Sequence, residues 1–234
     1  MAFFAAIHAQ AVTYYVATTG DNTNSGLSWA EAVSTISNGI SKATATNDTV
    51  LVSNGTYVLS ATLPISNAIT VKSVNGPGVT IVDGSNAVKC FYFWGSPAIV
   101  VEGFTITRGS SDYGGGVRMV SGMLRNCIVS SNVASGAGGG IYCDGDTVRN
   151  CLVFSNRTAG AYGGGICTWN HGTVLSCTVV GNAAPAGNGG GIYGLQNTIV
   201  SNSIAYGNTA LLGPNLLGGI DSCGYSCVQP ARAG

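Results

Sequence analysis

The sequence predicts an all-β fold: a single-stranded parallel β-helix, or solenoid, of about seven coils with an N-terminal capping α-helix. Three observations predict it. Glycine triplets at 114–116, 138–140, 163–165 and 189–191 recur 24, 25 and 26 residues apart. Asn126-Cys127, Asn150-Cys151 and Ser176-Cys177 march alongside them, and Asn132, Asn156, Asn182 and Asn208 form a further series. The segments between, VEGFTITRG, LRNCIVSSN, VRNCLVFSN, LSCTVVGN and SNSIAYGN, are rich in Val, Ile, Thr and aromatics and bounded by Gly, Asn and Ser. That is strand and turn chemistry with no helical period. A period near 25 built from such segments marks a solenoid in which each repeat is one coil.

Residues 1–11 (MAFFAAIHAQA) are short and apolar and end Ala9-Gln10-Ala11. They read as a truncated secretory signal peptide, although the basic start of one is missing; a misplaced start or a fragment boundary is the other reading. Residues 12–48 are expected to hold a strand around Tyr14-Tyr15-Val16 and the cap. Ser28 and Glu31 have capping-box spacing, and Trp29, Val33, Ile36 and Ile40 recur at helical spacing. A helix over 28–45 would therefore plug the first coil, whose core and strand edges are otherwise open.

Residues 49–220 are the β-helix. Two less regular coils, 49–65 and 68–93, precede five regular ones. In register, Phe104, Cys127, Cys151, Cys177 and Ser203 form one inward column. Ile106, Val129, Val153, Val179 and Ala205 form a second two residues on, and Val117, Ile141, Ile166 and Ile192 a third. The glycine triplets serve tight turns or close approach between coils. The asparagine series is a structural ladder, with amides bonding coil to coil. Residues 221–234 read as an irregular tail and a fragment end. Either it folds over the last coil or the natural chain continues, and the lack of a second amphipathic helix favours continuation. An uncapped last coil would permit end-to-end self-association.

Charged residues make up 8% of the 234, and the net charge is zero. That argues against nucleic acid or an anionic membrane as an electrostatic partner, and no segment is long enough to span a bilayer as a helix. Export implies an oxidising compartment for the eight cysteines. In-register copies of Cys127, Cys151 and Cys177 sit about 4.8 Å apart, too far for disulfides, and are expected as buried thiols. Cys143 and Cys167 are offset, one inward and one outward. Cys223 and Cys227 are close enough in sequence to bridge a loop, and their disulfide state stays open. No paired C-x-x-C motif exists and only His8 and His171 are available, so no metal site is expected.

GVTIVDGSN (78–86), the glycine triplets and the stacked asparagines resemble right-handed parallel β-helix proteins of the pectate-lyase-like superfamily. FSNRTAGAYGGGI (154–166) is similar to the repeats of bacterial polymorphic outer-membrane proteins. NSIAYGNTALLGPNL with the following YSC resembles large bacterial β-helix proteins held at the cell surface by a separate anchor. The likeness covers roughly 12–228 and implies a secreted or cell-surface location in a bacterium. The outer-membrane repeats mostly have alanine where this chain has its third glycine.

The resemblance implies two functions. One is a structural, adhesion or glycan-binding rod facing polysaccharide or cell-surface glycan. The other is a lyase or hydrolase of acidic polysaccharide. Superfamily lyases hold Ca²⁺ on several carboxylates and use an Arg or Lys as base, so Ca²⁺ is expected only under that reading; otherwise no cofactor is. The candidate catalytic group is Glu102, Arg125 and Arg149, in one register on successive coils. Period two would turn them inward, so a surface position assumes a turn just before Asn126 and its equivalents. Asp144, Asp146 and Asp112 are expected at nearby turns. The competing reading is a surface charge ladder worth under about 1 kcal/mol. Tyr142 and Tyr193 should point outward, with Cys167 between them, as candidate sugar-stacking residues or as isolated surface tyrosines. His171 reads as an exposed turn residue, and Asp83 as a turn cap. Low charge, short turns and few carboxylates favour the binding rod over the enzyme.

Overall fold

The computed structural model describes residues 10–224 and 226–228; the signal-peptide reading of 1–9 and the last residues of the tail lie outside them. The described chain winds as one parallel β-solenoid of about seven coils. A regular coil has four short strands. We name its faces from one such coil: face 1 (Val100–Glu102), face 2 (Thr105–Thr107), face 3 (Ser110–Tyr113) and face 4 (Val117–Met119). Each strand pairs in parallel with its copies in the coils before and after, as Met123–Arg125 does between Val100–Glu102 and Thr147–Arg149. Faces 1 and 4 merge near the C-terminal end, where Ile192–Ser201 runs through both as one strand.

The expected inward columns are all buried: Phe104 to Ser203, Ile106 to Ala205, and Val117 to Ile192. Apart from the polar Ser203, they join one continuous apolar core with Val50, Val71, Val101, Leu124, Val148, Val174 and Val200 from face 1. The triplet glycines divide their work. Gly114, Gly138, Gly163 and Gly189 have φ of +62°, +64°, +66° and +65°. A Cβ on Gly140 would instead stand 2.9 Å from Asn156 Cγ, so the third glycine makes room for the asparagine ladder.

That ladder is continuous. Asn132 Nδ2 donates to Asn156 Oδ1 at 2.9 Å, Asn156 to Asn182 at 2.9 Å, and Asn182 to Asn208 at 2.9 Å. Each acceptor oxygen also takes the backbone N–H of the preceding asparagine. Asn215, outside the repeat register, closes the series below Asn208.

The cap is shorter than expected. The helix spans Ile36–Lys42, with Thr35 as N-cap accepting from Asn38 N. Ser28 Oγ does cap Glu31 N at 3.2 Å, but it closes only a turn. The reason is Val33: it lies extended and bridges Val16, taking the edge of the first strand (Thr13–Val16). A helix through 28–45 would leave that edge unpaired. Ile36 and Gly39 are the buried helix residues, and a Cβ on Gly39 would meet Val16 and Val50 at 2.7 Å.

The tail is more regular than expected. Leu216–Gly224 pairs with Ile192–Ser201, and Cys227–Val228 pairs with Ile204–Tyr206. Backbone pairing there needs no repeat of the apolar pattern, which is why the sequence shows none. Cys223 and Cys227 are exposed and unbridged, and Cys127, Cys151 and Cys177 are buried free thiols.

Candidate functional site

Two outward rows carry the candidate chemistry. The first lies on face 1. Residues two apart on a strand share a side, so Arg125 would follow Cys127 inward unless the chain turns between them. It turns at Asn126, where φ is +54°; Asn150, Ser176 and Asn202 repeat this at +50°, +54° and +50°. The expectation placed the turn one residue early, but its consequence holds: Lys72, Glu102, Arg125 and Arg149 stand in one outward row.

Arg125 Nη2 and Nε donate to Glu102 Oε2 at 2.7 and 3.0 Å, and Asn126 Nδ2 donates to Oε1 at 2.8 Å. Partial burial works to raise the Glu102 pKa. The hydrogen bonds from Arg125 and Asn126, with the Arg125 and Lys72 charges, outweigh it and hold the carboxyl below its usual value. Arg149 is exposed beside Arg125 in register and makes no ion pair among the described residues. A cavity of about 400 Å³ adjoins the row, lined in part by Lys72, Glu102 and Asn126.

A lyase-type Ca²⁺ does not fit this row. Its one carboxylate has both oxygens engaged by donors, whereas Ca²⁺ takes six to eight oxygen ligands. The aspartates are elsewhere. Asp112 lies within the face-3 strand, 3.9 Å from Lys89, rather than at a turn, and Asp144 ends the face-4 strand Ile141–Asp144. Asp144 accepts from Asn170 Nδ2 at 2.8 Å. Asp146 turns into the rod, 7% exposed, with Oδ2 unpartnered. Burial raises its pKa to about 7, against hydrogen bonds from the Gly122 and Asp144 backbone that lower it. Among the described residues no three His, Cys, Asp or Glu side chains cluster as a metal site would need. His171 is exposed, with Nε2 3.1 Å from Asn197 Nδ2. Asp83 caps its turn through Ser85 N, as expected, and also forms a bidentate pair with Arg108.

The second row lies on face 4. In register from coil to coil it reads Pro64, Tyr92, Arg118, Tyr142, Cys167, Tyr193 and Leu217. Tyr142 and Tyr193 point outward with Cys167 between them, as expected. Cys167 is outward yet only 1% exposed, because the flanking aromatics cover it, and burial pushes its pKa up to about 12.

The tyrosines are not isolated. Tyr113 meets Tyr142 edge-on at 5.3 Å, Tyr162 stacks on Tyr193 at 4.4 Å, and Trp94 stacks on Tyr92 at 4.6 Å. With Trp169 and Arg118, several of these rings line a cleft of about 390 Å³. Arg118 faces the rings of Tyr92, Tyr113 and Tyr142 at 5.3, 5.8 and 5.9 Å. Lys89 lies 5.6 Å over Tyr92, its pKa lowered by burial, with Asp112 opposing and Arg118 adding to the effect. Burial first, then nearby Cys167 and Asp144, push the Tyr142 hydroxyl up to about 12, so it stays neutral. The sequence reading missed Tyr92, Tyr113, Arg118, Tyr162 and Trp169. Aligning VRM (117–119) under IYC (141–143) would have put Arg118 in the Tyr142 column.

No protein-family model matches the sequence, and no curated protein does. Solved structures do match. Pectate lyase Pel9A superposes with a TM-score of 0.66 at 19% identity, over 94% of this chain and 62% of that one. A rhamnogalacturonan lyase gives 0.60 at 16%, over 95% and 63%. Pectin methylesterase PemA from Erwinia chrysanthemi gives 0.57 at 11%, over 97% and 92%. The chain is a right-handed parallel β-helix. At these identities the likeness is one of fold, and the chain spans less than two thirds of the length of the two lyases. No helix among the described residues is long and apolar enough to cross a membrane.

Proposed function

We propose that this chain is a glycan-binding β-helix module, exported to the cell surface or beyond, that holds a polysaccharide along face 4. One observation carries the reading. Tyr92, Tyr142 and Tyr193 occupy alternate coils of a single outward column. Two strand spacings separate successive tyrosines by roughly 10 Å, the scale of a disaccharide. A polymer whose sugars alternate in facing would present every second ring to a tyrosine. Aromatic faces suit the apolar CH side of a pyranose, and each added platform raises affinity without chemistry on the sugar. The fold's occurrence in proteins named for acting on pectin and rhamnogalacturonan supports polysaccharide as the partner. The binding mode needs no metal.

The test is affinity electrophoresis and tryptophan fluorescence against a panel of plant and bacterial polysaccharides. Binding that weakens in Tyr142→Ala and Tyr193→Ala, with the fold intact, is the expected result. Binding indifferent to both substitutions would overturn the assignment to face 4.

A second reading, an acidic-polysaccharide lyase on face 1, is favoured by the Lys72–Glu102–Arg125–Arg149 row and its adjoining cavity. Formation of unsaturated ends, abolished by Arg125→Ala, would establish it. Because the Glu102–Arg125 pair is half-exposed, that substitution should cost the fold under about 1 kcal/mol.

A further inference from the structure

Arg118 is the one half-buried cation on face 4 with no carboxylate partner. Among the described residues the ion pairs are Lys89–Asp112, Arg108–Asp83 and Arg125–Glu102. Arg149, Arg157, Lys42 and Lys72 are also outside these pairs; both arginines are exposed, Lys42 lies on the cap helix, and Lys72 stands in the face-1 row beside Glu102. Arg118 Nε is shielded from solvent and has no acceptor. The charge is held by ring faces rather than by an anion. Cation–π contact offsets part of the cost of taking a guanidinium out of water, but it leaves the hydrogen-bonding edge unused. The Nη groups, which make no ion pair, are the donors left for an acceptor that arrives from outside.

The acids around it do not take that role. Asp112 is 3.9 Å from Lys89 and accepts from Ser111 Oγ and Tyr113 N. Asp144 accepts from Asn170. Arg118 stands between Tyr92 and Tyr142 in the column and lines the cleft with Tyr113, Tyr142 and Tyr162, so an acceptor meeting it would lie among those rings.

We infer that Arg118 makes the face-4 cleft select anionic glycans, its guanidinium receiving a carboxylate or sulfate on a sugar seated in the cleft that Tyr113, Tyr142, Tyr162 and Trp169 line with it. The inference rests on the reading of face 4 as a glycan-binding surface. It adds the class of glycan and the residue that reads it.

The experiment measures binding of three soluble glycans, oligogalacturonate, a sulfated galactan and an uncharged galactan, by tryptophan fluorescence and affinity electrophoresis at low salt. Wild type should bind at least one anionic glycan about tenfold or more tighter than the uncharged one, as a charge-assisted pair allows. The carboxylate and sulfate arms separate the two sources of charge. Arg118→Gln should erase that preference. Arg118→Lys should keep only part of it, since a point charge replaces the planar fork. Arg157→Gln, an equal charge change at an exposed face-3 position, should leave it unchanged.

Circular dichroism and thermal melts establish that each variant is folded. An Arg118→Gln protein that folds and keeps the anionic preference overturns the inference. So does wild type that binds the uncharged galactan as tightly, and in that case glycan binding itself stands. If folded wild type binds no glycan, the reading of face 4 falls and the inference with it.

Discussion

Removing one amide from the centre of the asparagine ladder tests the fold's internal logic. Asn156 makes five side-chain hydrogen bonds: Nδ2 to Val129 O, Phe154 O and Asn182 Oδ1, and Oδ1 from Asn132 N and Nδ2. It is 1% exposed, so water cannot substitute. In Asn156→Ala the buried Asn132 N–H loses its acceptor, a penalty of about 1–3 kcal/mol, and the remaining lost bonds add roughly 2 kcal/mol. The expected loss is therefore about 3–5 kcal/mol, against a usual total of roughly 5–15 kcal/mol. Asn156→Asp keeps the acceptor but turns the donor into an oxygen facing two carbonyls and Asn182 Oδ1. At neutral pH it should be no more stable than the alanine variant. Asn132→Ala combined with Asn156→Ala should cost less than the sum, because the two residues share two bonds. Urea unfolding followed by circular dichroism, with the slope checked for constancy, reads wild type, both Asn156 variants, Asn132→Ala and the double variant. A loss under about 1 kcal/mol for Asn156→Ala, or an aspartate variant clearly more stable than the alanine one, would refute the donor-based account.

Two further outcomes follow from buried groups. The folded Asp146 carboxyl has a pKa raised to about 7 from an ordinary 3.8, so the native chain binds this proton more tightly than the unfolded chain. Its burden on stability is absent at and below the unfolded value, grows as pH rises towards 7, and is constant above it. Asp146→Asn should therefore match wild type in thermal melts near pH 4 and exceed it at pH 8; a gap that does not change with pH would refute the assignment. A thiol reagent added to native protein should label Cys223 and Cys227 rapidly and the six buried cysteines only after unfolding. Rapid native labelling of Cys167 would mean that the face-4 aromatics do not cover it.

Much of the interior was legible because parallel in-register stacking copies each inward residue from coil to coil. A column such as Cys127, Cys151 and Cys177 therefore appears in the sequence as a repeat. What was not legible depends on the path between strands. Alternation alone sends Arg125 inward; the left-handed turn at Asn126 sends it out, and nothing in the alternation specifies that turn. Helical spacing over 28–45 was real, but Val33 was claimed by the edge of Thr13–Val16, a contact 17 residues away in sequence (from 16 to 33). On face 4 the tyrosine column could be read from the glycine triplets. Tyr113 and Tyr162 come from the less regular chain leading to it, and they convert separate rings into a cleft. Arg118 has no counterpart in neighbouring coils, so no repeat announces it.

The same stacking rule explains why unspent chemistry lies on face 4 rather than face 1. Residues in register stand about 4.8 Å apart, so a like charge one coil away is unfavourable and an opposite one is captured. On face 1 that rule has acted: Glu102 takes Arg125 and Asn126, and Arg149, left beside a like charge, is exposed where water solvates it. The row is largely satisfied within the chain. On face 4 the neighbours of Arg118 in register are Tyr92 and Tyr142, which neither repel a cation nor accept its hydrogen bonds. Their ring faces let the charge be half-buried without an anion. Aromatic register neighbours let a solenoid hold an unpaired guanidinium half-buried against its surface. Here that condition also builds the stacking platforms, so the position that holds the cation is the position from which a sugar-bound anion can be read.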